Sequence, residues 1–234
     1  MKNKRIETIA VIPDGNRRWA RSNLASVSSA YGLGIDKFLD FSEWCYSYGI
    51  RNIVMWGLST ENTGRPKSEL DALFGAYAKL LDDENTLRRL KEKDARLILV
   101  GDRGVLPKNL LVSFERLEKQ TRSFKEREIF ALFGYGGRED MMHVADVIAE
   151  DTAKGKLPKR TSESSFKRYL ISKDVPDIDL VIRTSGELRL SGFLPWQVAY
   201  SELYFSKKHW PAFEKKDLDV ALSDYLKRER RFGV

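Results

Sequence analysis

Short apolar runs alternate along this chain with stretches of helical periodicity, and that alternation restricts the fold more than any single residue does. Ile9-Ala10-Val11-Ile12 and the runs at 51–58, 95–100, 128–133, 177–182 and 202–205 read as strands. Near-continuous apolar runs fit strands that are covered on both faces. Between them the spacing predicts helices opening at Arg17, over 34–48, from Ser68 toward Lys93, and over 109–122, 139–153, 163–171 and 217–227. In the third of these, Leu70, Leu73, Phe74, Tyr77, Leu80 and Leu81 recur at i, i+3, i+4 and i+7. Ser68 reads as its cap, and 22–30, rich in Ser and small residues, reads as a mobile loop. Strand–helix alternation implies one α/β domain over 1–234, with a mostly parallel central sheet flanked by helices. A chain of 234 residues, 42% of them hydrophobic, can bury a core of that size.

Ligands of parallel sheets bind beyond the carboxyl ends of the strands, so the residues at the strand exits carry the functional reading. Pro13 ends the first strand because it cannot donate to a sheet ladder. Asp14-Gly15-Asn16 follows as a turn and helix cap, and Arg17, Arg18 and Trp19 open the helix. A helix N-terminus presents free N–H groups and the positive end of its dipole, which suits an anion. Two guanidiniums there can grip phosphate oxygens. A lone carboxylate among them makes sense when a divalent metal sits between it and the phosphates. The other exits add Ser59, Asn62 and Arg65, then Arg138, then Arg183, Arg189 and Ser191, with Glu202 opening the last strand.

Exclusions narrow the chemistry. No G-x-x-x-x-G-K-[ST] or G-x-G-x-x-G loop is present, which argues against a nucleoside triphosphate or dinucleotide. His143 and His209 are far apart and neither is expected at a polar strand exit, so no Ser–His–Asp set is read. The single Cys45 cannot form an internal disulfide, fits a reducing, cytoplasmic setting, and lies among Phe38, Phe41, Trp44 and Tyr48 as a core residue. No apolar run approaches the ~20 residues of a membrane span. The net charge of +7 fits an acidic partner. With the arginines at strand exits and no long basic arm, nucleic acid is not expected to be that partner. The residues alone lead to transfer chemistry on phosphate or diphosphate compounds, with or without a metal ion.

Several longer blocks carry a resemblance. Asp14-Gly15-Asn16-x-Arg18-Trp19-Ala20, Ser59-Thr60-Glu61-Asn62-x-x-Arg65-Pro66, Gly101-Asp102, Tyr135-Gly136-Gly137-Arg138 and Arg183-Thr184-Ser185-Gly186-Glu187-x-Arg189 resemble the signature blocks of the cis-prenyltransferases, the undecaprenyl diphosphate synthase family. So do Phe193-Leu194-x-Trp196-Gln197-x-Ala199-Tyr200-x-Glu202 and Arg231-Phe232-Gly233, in the family's order over nearly the whole chain. The resemblance implies a homodimeric, Mg²⁺-dependent enzyme that condenses isopentenyl diphosphate with an allylic prenyl diphosphate and forms Z double bonds. It implies Asp14 and Glu202 at the metal, and Gly15, Asn16, Arg18 and Arg65 around the allylic diphosphate, with Arg17, Trp19 and Tyr31 beside them. By the same resemblance Arg183, Arg189 and Ser191 would hold isopentenyl diphosphate, and Arg231 and Gly233 would reach the neighbouring subunit's site. Asp14, Asn16, Ser59 and Asn62 are the implied catalytic set. An apolar tunnel for the prenyl chain is expected from the 70–81 helix with Met55 and Gly57. Peripheral contact with a membrane follows from a long apolar product.

The chain also departs from the family pattern. Val27 and Tyr31 stand where the family has an Arg and a His, Arg17 replaces a Gly, Thr63 an aromatic, and Gly134 and Gly192 each an Asn. Losing a cation from a diphosphate cradle costs on the order of 1–3 kcal/mol of binding, which Arg17 can offset. Either this is drift within a chain-elongating enzyme, or acceptor handling has changed: a short product, another condensation geometry, or an acceptor other than isopentenyl diphosphate. A non-catalytic partner subunit would lack the first Asp and the cradle arginines, whereas this chain keeps Asp14, Arg18 and Arg65.

Overall fold

In the computed structural model, which describes residues 5–156 and 162–228, six strands form one sheet in the order β3-β4-β2-β1-β5-β6. They are β1 (Thr8–Ile12), β2 (Asn52–Ser59), β3 (Ala95–Val100), β4 (Arg127–Tyr135), β5 (Leu180–Arg183) and β6 (Glu202–Phe205). Every pairing is parallel. The chain builds outward from β1 on one side through β2 and then returns to its other side with β5, so the strand order switches direction between β1 and β5. Crevices for ligands open at such switch points. Ile12 pairs in register with Arg183 there, placing Asp14 and Arg183 at neighbouring exits.

The helices are α1 (Asn16–Ser22), α2 (Val27–Ser47), α3 (Lys67–Asp82), α4 (Glu84–Glu92), α5 (Lys108–Thr121), α6 (Gly137–Ala153), α7 (Glu163–Tyr169) and α8 (Lys215–Lys227). Successive strand residues point to opposite faces. Ile9, Val11, Ile53 and Met55 therefore face a core shared with α2, α3, α5 and α8. Ala10, Ile12, Val54 and Trp56 face a second core closed by Val175, Ile178, Phe193 and Leu194. Cys45 is fully buried in the first core, as expected.

Two expectations are corrected. The expected loop over 22–30 shrinks to residues 23–26 between α1 and α2: α2 begins at Val27, where Ser26 caps it by accepting the Ser29 N–H at 3.0 Å. Tyr31, Ile35, Phe38 and Cys45 form one buried stripe, and this burial outweighs the weak helix propensity of the serines. The predicted helix toward Lys93 is two helices, α3 and α4, broken at Asp83, whose carboxylate caps α4 through the Asn85 N–H at 2.9 Å. The residue before α3 is Pro66, and Ser68 makes no cap.

Candidate active site

The turn after β1 is fixed on three sides. The Asp14 carbonyl accepts from the Thr184 hydroxyl at 2.8 Å and from the Trp210 N–H at 3.0 Å. Gly15 follows with φ +97°, and a Cβ there would lie 2.5 Å from Ser185 Oγ and 2.6 Å from His209 Nδ1. Only glycine meets both demands. Within the expected Asp14-Gly15-Asn16 turn it is Gly15 that stands at the N-cap of α1, with no side-chain cap bond. Asn16 spends its amide N–H on the Pro13 carbonyl at 3.1 Å, and its buried Oδ1 has no partner among the described residues.

The Asp14 carboxylate lies between two guanidiniums. Oδ1 accepts from Arg18 at 3.1 Å and Oδ2 from Arg183 at 3.0 Å. Burial pushes its pKa up, but the Arg183 hydrogen bond and the two positive charges outweigh that and hold it below the usual carboxylate range. The Arg183 side chain, only 6% exposed, also donates to Ser191 Oγ at 2.9 Å and to the Arg189 carbonyl. Arg18 continues to Glu187, which pairs in turn with Arg189. Arg183, Asp14, Arg18, Glu187 and Arg189 thus form a chain of alternating charge across the crevice.

A second cluster sits beside it. The Tyr31 hydroxyl donates to Glu69 Oε1 at 2.6 Å and accepts from Arg65 at 3.0 Å. Burial and the Glu69 bond push the Tyr31 pKa up to about 12, so it remains a donor at any ordinary pH. Arg17 and Arg65 both pair with Glu69, and Asn62 Oδ1 holds the Arg65 Nε–H at 3.1 Å.

These groups open onto a cavity of about 930 Å³. Its lining includes Asp14, Gly15, Asn16, Arg17, Arg18, Tyr31, Ser59, Asn62, Arg65, Arg138, Arg183, Arg189 and Ser191. Seven arginines against three carboxylates make it an anion site. Ile35, Phe38, Trp56, Leu73, Tyr77 and Trp210 make the inner part apolar.

Other expected site residues fall elsewhere. Trp19 is half-buried outside the lining. Glu202 begins β6, so in a parallel sheet it lies at the amino end, opposite Asp14, where it pairs with Arg228 at 2.9 Å. Within this chain it does not join Asp14 around a metal. Arg231 and Gly233 lie outside the described residues. Met55 lines a separate inner cavity, with Gly57 shared between the two. His209 corrects another expectation: it stands behind the Asp14 turn, 2.6 Å from Ser185 Oγ. Glu187, Glu69 and His209 were missed as site residues. Glu187 falls within the Arg183–Arg189 block, whereas no local signal marks Glu69 or His209.

No group of three or more acids, His or Cys able to hold a metal is found among the described residues. Asp14 alone still fits Mg²⁺, which is commonly held by one or two carboxylates with ligand phosphates and water.

The family model described as putative undecaprenyl diphosphate synthase matches residues 12–233. The chain is 40% identical over 225 residues to an isoprenyl transferase of Thermotoga maritima, covering 96% of this chain and 95% of that one. It is 39% identical over 228 residues to a geranylgeranyl-diphosphate-specific tritrans,polycis-undecaprenyl-diphosphate synthase of Methanopyrus kandleri, covering 97% and 84%. It superposes on lavandulyl diphosphate synthase from Lavandula x intermedia, solved with dimethylallyl diphosphate, with TM-score 0.92, 31% identity and 98% of each chain covered. For a probable undecaprenyl diphosphate synthase of Campylobacter jejuni the TM-score is 0.79, at 27% identity over 99% of this chain and 100% of that one. This chain, with its Asp–Gly turn at the β1/β5 switch point, belongs to the undecaprenyl diphosphate synthase family of cis-prenyltransferases.

Proposed function

We propose that this enzyme condenses isopentenyl diphosphate with an allylic prenyl diphosphate, with Mg²⁺ held by Asp14. The observation that carries the reading is the Asp14 carboxylate between Arg18 and Arg183 at the head of a cavity that turns apolar inward. Arg18, Arg65 and the first turn of α1 take the allylic diphosphate, with Arg17 and Tyr31 at its edge. Asn62 positions Arg65 and Ser59 borders the same face. Arg183, Arg189 and Ser191 take isopentenyl diphosphate. The allylic C1–O bond breaks and its electron pair leaves with diphosphate. The isopentenyl double bond attacks C1, and a proton leaves C2 to form the new double bond. Asp14, held low by two guanidiniums, is a poor base, so the proton goes to a diphosphate oxygen. The metal ion, when bound, and the arginines neutralise the charge that develops on the leaving group. Apolar walls keep water from the cation.

In this reading the enzyme works as a homodimer whose Arg231-Phe232-Gly233 tail completes a neighbour's site. Its long apolar product is delivered to a bilayer by peripheral contact; no helix among the described residues is long and apolar enough to cross one. The test is incubation with Mg²⁺, radiolabelled isopentenyl diphosphate and a series of allylic diphosphates, with products separated by chain length. Labelled prenyl product is expected, and its loss in Asp14→Ala; product that survives that substitution overturns the role of Asp14. A second reading, an acceptor other than isopentenyl diphosphate, draws support from the likeness to lavandulyl diphosphate synthase, solved with dimethylallyl diphosphate. Product from dimethylallyl diphosphate alone distinguishes it.

A further inference from the structure

The turn that presents Asp14 has little structure of its own. Pro13 carries no N–H, and the Asp14 N–H reaches back only to the Ile12 carbonyl at 2.9 Å. Support comes from the segment between β6 and α8. There the Trp210 N–H donates to the Asp14 carbonyl at 3.0 Å, and the Trp210 indole N–H ties the same segment to α2 through the Gly34 carbonyl at 2.6 Å. The turn after β5 is bound to it as well. The Ser185 N–H donates to the Lys208 carbonyl at 2.6 Å and the Gly186 N–H to the Ser206 carbonyl at 2.8 Å.

Ser185 is the odd residue in this frame. Its φ is +80°, beside Gly186 at +72°. Glycine takes that conformation freely and a side chain takes it at a cost, so what serine adds there is its hydroxyl. That hydroxyl shares a hydrogen bond of 2.6 Å with His209 Nδ1. The two side chains stand together over Gly15: a Cβ on Gly15 would lie 2.5 Å from Ser185 Oγ, 3.0 Å from Ser185 Cβ and 2.6 Å from His209 Nδ1. The Ser185 carbonyl also accepts from Arg18 at 3.4 Å, and Arg18 holds Asp14. Ser185 is buried and His209 half-buried, and neither lines the cavity. Neither is placed to touch a substrate; the pair touches the back of the Asp14–Gly15 turn and, through Ser185, Arg18.

We infer that His209, acting through Ser185, is a positioning residue that holds the Asp14 carboxylate between Arg18 and Arg183. The inference rests on the proposed role of Asp14 and adds the residue that aims it. Gly15 lets the turn take its left-handed shape but offers no side chain to pack behind it. The Ser185–His209 pair fills that side, so the turn cannot swing back toward the 206–210 segment. Without the pair, Asp14 is free to leave the gap between the guanidiniums. Its two effects on a diphosphate then fade together: repulsion without metal, and anionic ligation of Mg²⁺ with it.

The test is isothermal calorimetry of inorganic pyrophosphate binding to the full chain, in chelator and in Mg²⁺. His209→Ala is expected to move both affinities toward those of Asp14→Asn. Binding in chelator becomes tighter and the gain from Mg²⁺ smaller, each by about fivefold, the effect of one hydrogen bond. His209→Asn places a polar atom where Nδ1 stands and is expected to restore the parent's values. His209→Gln offers one only at the Nε2 position and is expected not to. Ser185→Ala removes a single oxygen and is expected to match His209→Ala, with the double substitution no worse than either alone. It decides by itself if His209→Ala does not fold by circular dichroism. A parallel loss of affinity in chelator and in Mg²⁺ is what a merely structural role gives. That result, parent-like affinities in the alanine variants, or equal rescue by Asn and Gln would overturn the inference. Absence of prenyl transfer by the parent counts against the condensation instead, and pyrophosphate binding, which needs no turnover, still decides the role of His209.

Discussion

Replacing Asp14 by Asn separates the two jobs of its carboxylate. Without ligand it neutralises Arg18 at 3.1 Å and Arg183 at 3.0 Å. A diphosphate arriving without metal competes for those guanidiniums and is repelled by the same carboxylate. With its nearest oxygen about 6 Å away, and an effective dielectric near 20, that repulsion is about 3 kcal/mol per unit charge. The Asp14 side chain is 29% exposed, so solvent screening reduces this to roughly 1–2 kcal/mol. Each 1.4 kcal/mol is tenfold in affinity. Asp14→Asn is therefore expected to bind inorganic pyrophosphate about five- to thirtyfold more tightly than the unaltered protein in the presence of a chelator. Added Mg²⁺ reverses the order, because only the carboxylate supplies the ion with an anionic protein ligand. Isothermal calorimetry with and without Mg²⁺ measures all four affinities. Equal affinities in chelator, or equal strengthening of both proteins by Mg²⁺, would refute the argument.

Three further outcomes follow from the same geometry. Tyr31→Phe removes a hydroxyl bonded to both Glu69 and Arg65, which costs about 1 kcal/mol; the KM for the allylic substrate is expected to rise about fivefold, with the pH profile below pH 10 unchanged. Gly15→Ala places a Cβ 2.5 Å from Ser185 Oγ at φ +97°, so a loss of at least about 2 kcal/mol is expected, read from the urea midpoint; a midpoint within error of the parent would contradict the packing described. The depressed Asp14 pKa stabilises the fold above the unfolded carboxyl's value of about 3.9. That contribution is lost as pH falls through the lower folded value, so denaturant titrations from pH 6 to 2 should show a shallower acid limb for Asp14→Asn than for the parent.

Much of the site was legible because the strands were. Ile9-Ala10-Val11-Ile12 can only be a covered strand, and Pro13 must end it, so Asp14 falls at an exit whatever the rest of the chain does. Glu202 sits at the other end of the sheet for the same reason: a residue that opens a parallel strand lies opposite one that follows a strand. The start of α2 was illegible because Ser28 and Ser29 carry weak helix propensity, and only tertiary burial of Tyr31 and Ile35 selects the helix. The α3/α4 break was hidden because apolar spacing continues across Asp83, while the interruption comes from a cap. His209 and Glu69 meet the site through contacts of 24 and 38 residues' separation, which no local pattern encodes. The departures at Gly134 and Gly192 have a backbone account. Both have positive φ, +56° and +81°, and Asn is the residue that best shares that conformation with glycine.

The central claim is that the Asp14 turn is where diphosphate and metal meet. A crystal structure with Mg²⁺ and a non-hydrolysable allylic thiodiphosphate tests it most directly. The account predicts the diphosphate at the N-terminus of α1 between Arg18 and Arg65, Mg²⁺ on Asp14, and the prenyl chain running toward Phe38 and Tyr77. A diphosphate bound away from that turn, or a chain directed out of the cavity, would contradict it.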